Sequence, residues 1–175
     1  MTINAFSGIG KGEEPKEVLA KKVAAMRNLR MKWERCKDER GILIVDEVSM
    51  MSLRLFELLD YVGKKVLKNE QPFGGIQVVF CGDFFQLPPV CKGDRRGPDG
   101  QYCFESDLWD TMFPRSGPDG PQQVVLTEVF RQREPLLIKA LGEVRVAELS
   151  DETIHLLLSR KAPLEFGAML VLLSN

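Results

Sequence analysis

The sequence has few of the residues that build metal clusters and none of the long apolar runs that cross membranes. Its 175 residues contain one histidine, His155, and four irregularly spaced cysteines with no CxxC pair. This pattern argues against a zinc site and is typical of reduced thiols in an intracellular protein. The compartment, nucleus or mitochondrion if the source is eukaryotic, is not readable from this chain. No apolar run approaches the ~20 residues of a membrane span, so no membrane partner is expected. A net charge of −1 favours no class of partner.

A short apolar run that ends in two acids is the first candidate site. Residues 42–45 form this run, which predicts a strand buried on both faces, as in a parallel sheet. Asp46 and Glu47 follow directly. Because ligands in such sheets bind at the carboxyl ends of the strands, one acid could hold a metal while the other handles a water proton. The acids could equally be polar residues where a strand leaves the core, and the motif alone does not decide.

A second strand is predicted to bring further polar residues to the same edge. An amphipathic helix over residues 52–68 and an apolar run over 76–81 follow the first strand. This order predicts a right-handed strand–helix–strand unit with parallel strands. The second run leads to Asp83, Gln86 and two prolines that stop the strand. Asp83 and Gln86 are therefore expected at the edge that carries the two acids.

The rest of the chain is predicted to form helices and further short strands. Helical apolar spacing occurs over residues 15–37, 104–113, 135–146 and 151–160. Short strands are predicted at residues 2–4, 124–127 and 169–173. The glycine-rich segment 6–12 is either a plain connection or a loop whose backbone approaches a phosphate. Cys81, inside an apolar run, is expected in the core, and GPDG at 97–100 and 117–120 predicts two surface turns.

Several strand-end motifs together resemble the Pif (petite integration frequency) family of 5′-to-3′ DNA helicases, in the RecD-like branch of superfamily one. The matching segments are ILIVDEVSM (42–50), PFGGIQVVFCGDFFQLPPV (72–90), FES..W (104–109) and LTEVFRQ (126–132), and TINAFSGIG (2–10) is similar to the family's first DNA-contacting motif. The resemblance implies an α/β fold, an incomplete RecA-like P-loop NTPase domain with a parallel sheet flanked by helices. Residues 1–150 would form this partial motor domain, and residues 151–175 would lead towards a second one.

The resemblance also implies a function and a role for individual residues. The expected activity is Mg-ATP hydrolysis coupled to DNA unwinding in repair, recombination or telomere maintenance, on single-stranded DNA and duplex junctions. Asp46 would hold Mg²⁺ through its water shell, and Glu47 would position and deprotonate the attacking water. Gln86 would sense the γ-phosphate, Arg131 would act as an arginine finger, and Asp83 would join Asp46 and Gln86 in binding the nucleotide. The residues expected to touch DNA are Thr2, Ser7, Gly8 and Gly10.

Two departures from the family pattern leave an alternative open. The sequence contains no GxxxxGKS or GxxxxGKT phosphate loop, whose natural place is upstream of Thr2. Asn4 stands where the family usually has histidine. One interpretation is a piece of an active helicase whose other motifs lie outside this sequence. The other is a non-hydrolysing relic, of transposon origin, with at most weak DNA or partner binding. In both cases we expect the isolated chain to be inactive.

Overall fold

Two parallel strands form the sheet on which the candidate site lies. In a computed structural model that describes residues 1–38, 41–91, 97–114 and 123–161, β1 (Ile42–Val45) pairs with β2 (Gln77–Phe80). The register joins Ile42 to Gln77 at one end and Val45 to Phe80 at the other. Both strands therefore end at the same edge, as the sequence predicted.

The helices fall into two units of the chain, Met1–Val124 and Val125–Asn175. The described part of the first unit contains the sheet and the helices α1 (Ile3–Ser7), α2 (Lys16–Ala25), α3 (Arg27–Lys37), α4 (Leu53–Leu67) and α5 (Asp107–Met112). It also contains 3₁₀ turns at Val48–Met50, Pro72–Gly75 and Cys103–Glu105. The second unit contains α6 (Pro135–Val146) and α7 (Asp151–Ser159). Among the described residues, no helix is long and apolar enough to cross a bilayer.

The core of the first unit is built around α4, the helix that connects the two strands. Ser52 caps its start by accepting a hydrogen bond from the Leu55 N–H at 3.2 Å. Its apolar stripe is fully buried at Phe56, Leu59 and Val62. Large buried side chains from other elements pack into the same core, among them Trp33, Phe73 and Leu19. Burial of one helical face, and not helix propensity alone, fixes α4 against the sheet.

One face of the sheet is exposed, which corrects the prediction of a strand buried on both faces. Leu43 and Val45 of β1 are buried, whereas Ile44 is 65% exposed and Ile42 is also exposed. The physical reason is that the described helices cover only the face that carries Leu43 and Val45. The prediction that Cys81 lies in the core is wrong for the same reason, since this residue is exposed.

Three other predicted elements differ from the structure. Residues 2–4 belong to the start of α1, because Thr2 caps a helix by accepting a hydrogen bond from the Ala5 N–H. The helix predicted over 15–37 is broken at Met26, whose backbone is extended (φ −84°, ψ 107°) and whose side chain is exposed. The described residues 124–127 form no strand and are exposed, because no neighbouring strand pairs with them. The predicted strand at 169–173 and the second GPDG turn lie outside the described residues.

Glu143 connects α6 to α7 in the second unit. Its carboxylate accepts hydrogen bonds from the Ser150 N–H and the Ser150 hydroxyl, each at 2.8 Å, at the start of α7. A hydrogen bond from the Thr153 side chain, followed by those from Ser150 and the charge of Lys139, lowers the pKa of Glu143 to about 2. The charged form of Glu143 therefore stabilises the contact between α6 and α7.

A glycine in α4 gives a stability test of the core. A Cβ on Gly63 would lie 2.9 Å from the Phe73 carbonyl oxygen, in backbone that cannot swing aside. Gly63→Ala should therefore destabilise the first unit by about 1–3 kcal/mol, although alanine is the better helix former. Gly142→Ala in α6, which meets nothing within 4 Å, is the matched control and should stabilise α6 by about 0.5–1 kcal/mol. Denaturant unfolding followed by circular dichroism measures both; a stabilised Gly63→Ala variant would contradict the packing described here.

The second unit should lose stability in acid through Glu143. Because the pKa of Glu143 is lower in the folded state than its ordinary value of 4.5, its stabilising contribution is complete above pH 4.5 and fades as the pH falls towards 2. Protection factors of peptides in α6 and α7, which correct for the intrinsic pH dependence of amide exchange, should fall over this range. Glu143→Gln should remove most of that pH dependence, whereas Glu148→Gln, at an exposed position, should keep it. An unchanged pH profile in Glu143→Gln would rule out this role.

Candidate functional site

The turn after β1 holds two exposed carboxylates in a fixed conformation. Asp46 and Glu47 are both exposed. Glu47 adopts the left-handed conformation (φ 53°, ψ 46°), and its N–H donates to Asp46 Oδ1 at 2.9 Å. A non-glycine residue in this conformation costs about 1–2 kcal/mol and persists where its surroundings impose it. The strained backbone turns the chain directly into the 3₁₀ turn Val48–Met50.

The end of β2 imposes that conformation by continuing the backbone ladder past both strands. The Cys81 N–H donates to the Val45 carbonyl at 2.8 Å, and the Cys81 carbonyl accepts from the Val48 N–H at 3.0 Å. These two bonds fasten the Asp46–Glu47 turn at both sides. Gly82 lies so close that a Cβ on it would be 2.8 Å from the Val48 nitrogen, and its φ of 153° also favours glycine.

The loop after β2 is organised by Asp83. Its carboxylate accepts from the Phe85 N–H at 3.1 Å and from the Gln86 side-chain amide at 3.3 Å. Its carbonyl accepts from the Gln86 N–H at 2.9 Å. Asp83 therefore fixes Gln86, whose side chain is exposed. The structure confirms that Asp46, Glu47, Asp83 and Gln86 follow neighbouring parallel strands at one edge of the sheet; their individual roles stay predictions.

The four residues expected to touch DNA have different surroundings. Thr2 is exposed and caps α1. Ser7 is fully buried; its hydroxyl donates to the Ile3 carbonyl at 2.8 Å, and its own carbonyl accepts from Trp33 Nε1 at 3.3 Å. Gly8 ends α1 in the left-handed conformation, and a Cβ there would lie 2.5 Å from Leu29 Cδ1. Gly10 is exposed, with nothing within 4 Å of its Cβ position.

Arg131 belongs to the second unit of the chain, Val125–Asn175. It is exposed and lies four residues before Pro135, the first residue of α6. Its approach to the carboxylates of the first unit stays a prediction.

The exposed groups at the sheet edge suit a magnesium-bound phosphate. Asp46, Glu47, Asp83 and Gln86 offer only oxygen ligands and one amide donor, as a hard cation and phosphate oxygens require. No cluster of three acidic, histidine or cysteine side chains that could cage a metal occurs within the described ranges. Mg²⁺ in nucleotide sites needs no such cage, since one or two carboxylates, water and phosphate oxygens complete its shell. The residues present therefore fit a cation that arrives with its nucleotide.

Sequence patterns alone did not identify the residues behind these loops. Cys103 is buried with its sulfur 3.9 Å from the Val48 carbonyl oxygen, and the Phe84 ring packs at 4.8 Å from that of Phe104. A long-range contact between short, irregular segments leaves no periodic signal. The glycine before Asp83 was the one available hint, because a glycine at the end of a strand often marks a close backbone approach.

Known proteins match this chain over most of its length. The family model described as PIF1-like helicase matches residues 1–134. An ATP-dependent DNA helicase PIF1 from Emericella nidulans is 39% identical over 166 residues, which cover 95% of this chain and 20% of the relative. This chain thus spans about a fifth of that relative's length.

Solved structures agree with the sequence matches. The Pif1 helicase from Candida albicans has a TM-score of 0.76 at 32% identity, over 96% of this chain and 35% of that one. The Pif1 helicase from Bacteroides, solved in complex with ADP-AlF3 and single-stranded DNA, has a TM-score of 0.58 at 34% identity, over 73% of this chain and 29% of that one. The matched region of these helicases has the α/β, RecA-like fold expected from the sequence. By its sequence and its fold, this chain belongs to the PIF1-like helicase family.

Proposed function

We propose that this chain supplies the ATP-hydrolysing edge of a 5′-to-3′ DNA helicase motor. The observation that carries the proposal is the pair of parallel strand ends, which bring Asp46 and Glu47 to the same sheet edge as Asp83 and Gln86 in a chain of the PIF1-like helicase family. Because the chain spans about a fifth of its relative, the remaining parts of such a motor would come from elsewhere in a longer polypeptide.

Asp46 and Glu47 would have different roles at the nucleotide phosphates. Asp46 would hold Mg²⁺ through its water shell, since only one of its oxygens, Oδ1, is bonded to the Glu47 N–H. The cation, when bound, neutralises charge on the phosphates. Glu47, directed outward by its left-handed backbone, would orient the attacking water and accept its proton.

Gln86 would sense whether the γ-phosphate is present. Its amide nitrogen donates to Asp83, which leaves the amide oxygen for a water or a phosphate-bound group. Asp83 would contribute to nucleotide binding mainly by keeping Gln86 in place. Arg131 would supply positive charge to the leaving phosphates, a role worth about 10³–10⁵ in rate in phosphoryl transfer.

Single-stranded DNA is the proposed partner of the first helix and its glycine loop. Thr2 and the backbone at Gly8 and Gly10 would contact phosphates without sequence preference. Ser7 would support this loop from within the fold, because the residue is fully buried, its hydroxyl donates to Ile3 and its carbonyl accepts from Trp33. Duplex junctions as substrates, roles in repair, recombination or telomere maintenance, and an intracellular location belong to the same proposal. So does the division into a motor domain at 1–150 and a connection at 151–175.

A chimeric helicase that contains this chain tests whether the chain supports ATP hydrolysis and DNA unwinding. The chain replaces the matching segment of the Emericella nidulans helicase, which supplies the remaining length. We expect magnesium-dependent, DNA-stimulated ATP hydrolysis and unwinding. Glu47→Gln should keep ATP binding and lower turnover at least about 100-fold, because no base remains to accept the proton of the attacking water. Glu17→Gln on α2 is the charge-matched control and should be unchanged.

Two outcomes would contradict the proposal. A correctly folded chimera without ATP hydrolysis would favour the alternative of a non-hydrolysing relic. Turnover retained in Glu47→Gln would remove this residue from the chemistry while leaving family membership untouched.

Arg131 is tested in the same chimera. Arg131→Ala should leave the dissociation constant for ATP within about threefold and slow hydrolysis by about 10³-fold or more, because the lost charge acts on the transition state. Arg133→Ala, two residues along and equally exposed, is the control. If both variants slow hydrolysis to the same small degree, the effect is general electrostatics and the finger assignment is wrong.

A further inference from the structure

We infer that residues 97–106 form a brace that holds the loops after β1 and β2 in one fixed arrangement, with Tyr102 and Phe104 as its positioning residues and Phe84 as their contact in the loop after β2. This inference deepens the proposed function, because a fixed arrangement of the Asp46–Glu47 turn and the Asp83–Gln86 loop matters only if both act on one nucleotide. None of the brace residues is expected to touch that nucleotide.

On one side, the brace completes the start of α4, which follows the Asp46–Glu47 turn after the 3₁₀ turn Val48–Met50 and Ser52. The first N–H groups of a helix have no partner within the helix. Here the Leu53 N–H donates to the Gln101 carbonyl at 3.0 Å, and the Arg54 N–H donates to the Pro98 carbonyl at 3.1 Å. Backbone groups of the brace thus take the place of a local cap, in addition to Ser52.

Side chains reinforce the same attachment. Arg54 pairs with Asp99 at 3.2 Å, and the Ser106 hydroxyl donates to Glu57 at 2.7 Å. Burial raises the pKa of the Cys103 thiol to about 12, so the thiol stays protonated and points its weak donor at the Val48 carbonyl, 3.9 Å away. Val48 directly follows Glu47, so the brace lies behind the catalytic turn itself.

On the other side, the brace holds the loop after β2 through one aromatic ring. Phe84 directly follows Asp83 in the loop that carries Gln86. Its ring packs edge-on against the rings of Phe104 and Tyr102, with centroid distances of 4.8 Å and 5.9 Å. Tyr102 and Phe104 stack on each other at 5.1 Å with an interplanar angle of 12°. Edge-to-face and stacked geometries are favourable and directional, so they fix an orientation as well as a distance.

The brace is also rigid within itself. Tyr102 N–H donates to the Glu105 carboxylate at 2.8 Å, which closes the 3₁₀ turn Cys103–Glu105. Cys103 in this turn contacts the first loop, while its neighbours Tyr102 and Phe104 contact the second. Three consecutive residues therefore fix both loops relative to each other, which is the placement that hydrolysis requires: a displacement of 1 Å can cost about 100-fold in rate.

Hydrogen exchange on the 175-residue chain tests the brace without any activity. Phe104 is 41% exposed, so its loss should spare the core. Phe104→Ala should speed exchange at least about tenfold at the Phe85 and Gln86 amides, and also at Leu53 and Arg54, whose partners lie in the brace. Phe104→Tyr, which keeps the ring, should restore wild-type exchange. Phe113→Leu, in a ring that contacts Trp109 and Phe80, is the control.

The outcome decides between a brace and ordinary packing. Faster exchange confined to residues 84–86 would mean local packing only and would overturn the inference, as would unchanged exchange at both sites. If Phe104→Ala speeds exchange throughout the first unit, Phe104→Leu is measured instead, because leucine keeps most of the apolar volume. Exchange at residues 84–86 and at Leu53 and Arg54 is then compared in the same way.

The chimera adds a kinetic readout that distinguishes failure of the brace from failure of the proposed function. Phe104→Ala should lower the kcat of ATP hydrolysis by about tenfold while KM changes by less than about threefold, and Phe104→Tyr should recover kcat. Wild-type kcat in Phe104→Ala would contradict the positioning role even if hydrolysis itself is confirmed. An inactive parent chimera would contradict the proposed function, and the exchange experiment would still decide the brace.

Discussion

The site depends on a backbone ladder that continues beyond the ends of its two strands. Cys81 bonds to Val45 through its N–H and to Val48 through its carbonyl, and so encloses Asp46 and Glu47 between two fixed points. Gly82 permits this approach, because any side chain there would collide with the Val48 backbone. The left-handed conformation of Glu47 follows from these constraints, and its energetic cost is offset by the ladder.

Two further sets of contacts build on this ladder. Asp83 uses its carboxylate and its carbonyl to shape the loop that carries Gln86. Behind both loops lies the segment 97–106, which completes the N-terminus of α4 and packs around Phe84. Apolar and backbone contacts behind the two loops thus fix Asp46, Glu47 and Gln86, whose side chains face solvent.

Regular patterns made part of this arrangement predictable from the sequence. Apolar spacing predicted α4 and α6 to within a residue or two, and strand–helix–strand order predicted that Asp46 and Gln86 follow strands of one sheet edge. The break at Met26 was not predictable, because no glycine or proline marks it. The exposed face of β1 was also missed. An apolar run that includes Ile42 and Ile44 predicts burial on both faces, whether or not another element of the fold covers the second face. The role of Tyr102 depends on a contact between distant irregular segments, which no local pattern encodes.

We propose that the residues at the ends of β1 and β2 form one nucleotide site. A crystal structure of the chimera with Mn²⁺ in place of Mg²⁺ and a γ-phosphate mimic tests it most directly, because Mn²⁺ is located by its anomalous scattering. We expect a manganese peak next to the Asp46 carboxylate, with the phosphate mimic between Glu47 and Gln86. A nucleotide and metal bound elsewhere, with Asp46 and Gln86 both facing solvent, would contradict it.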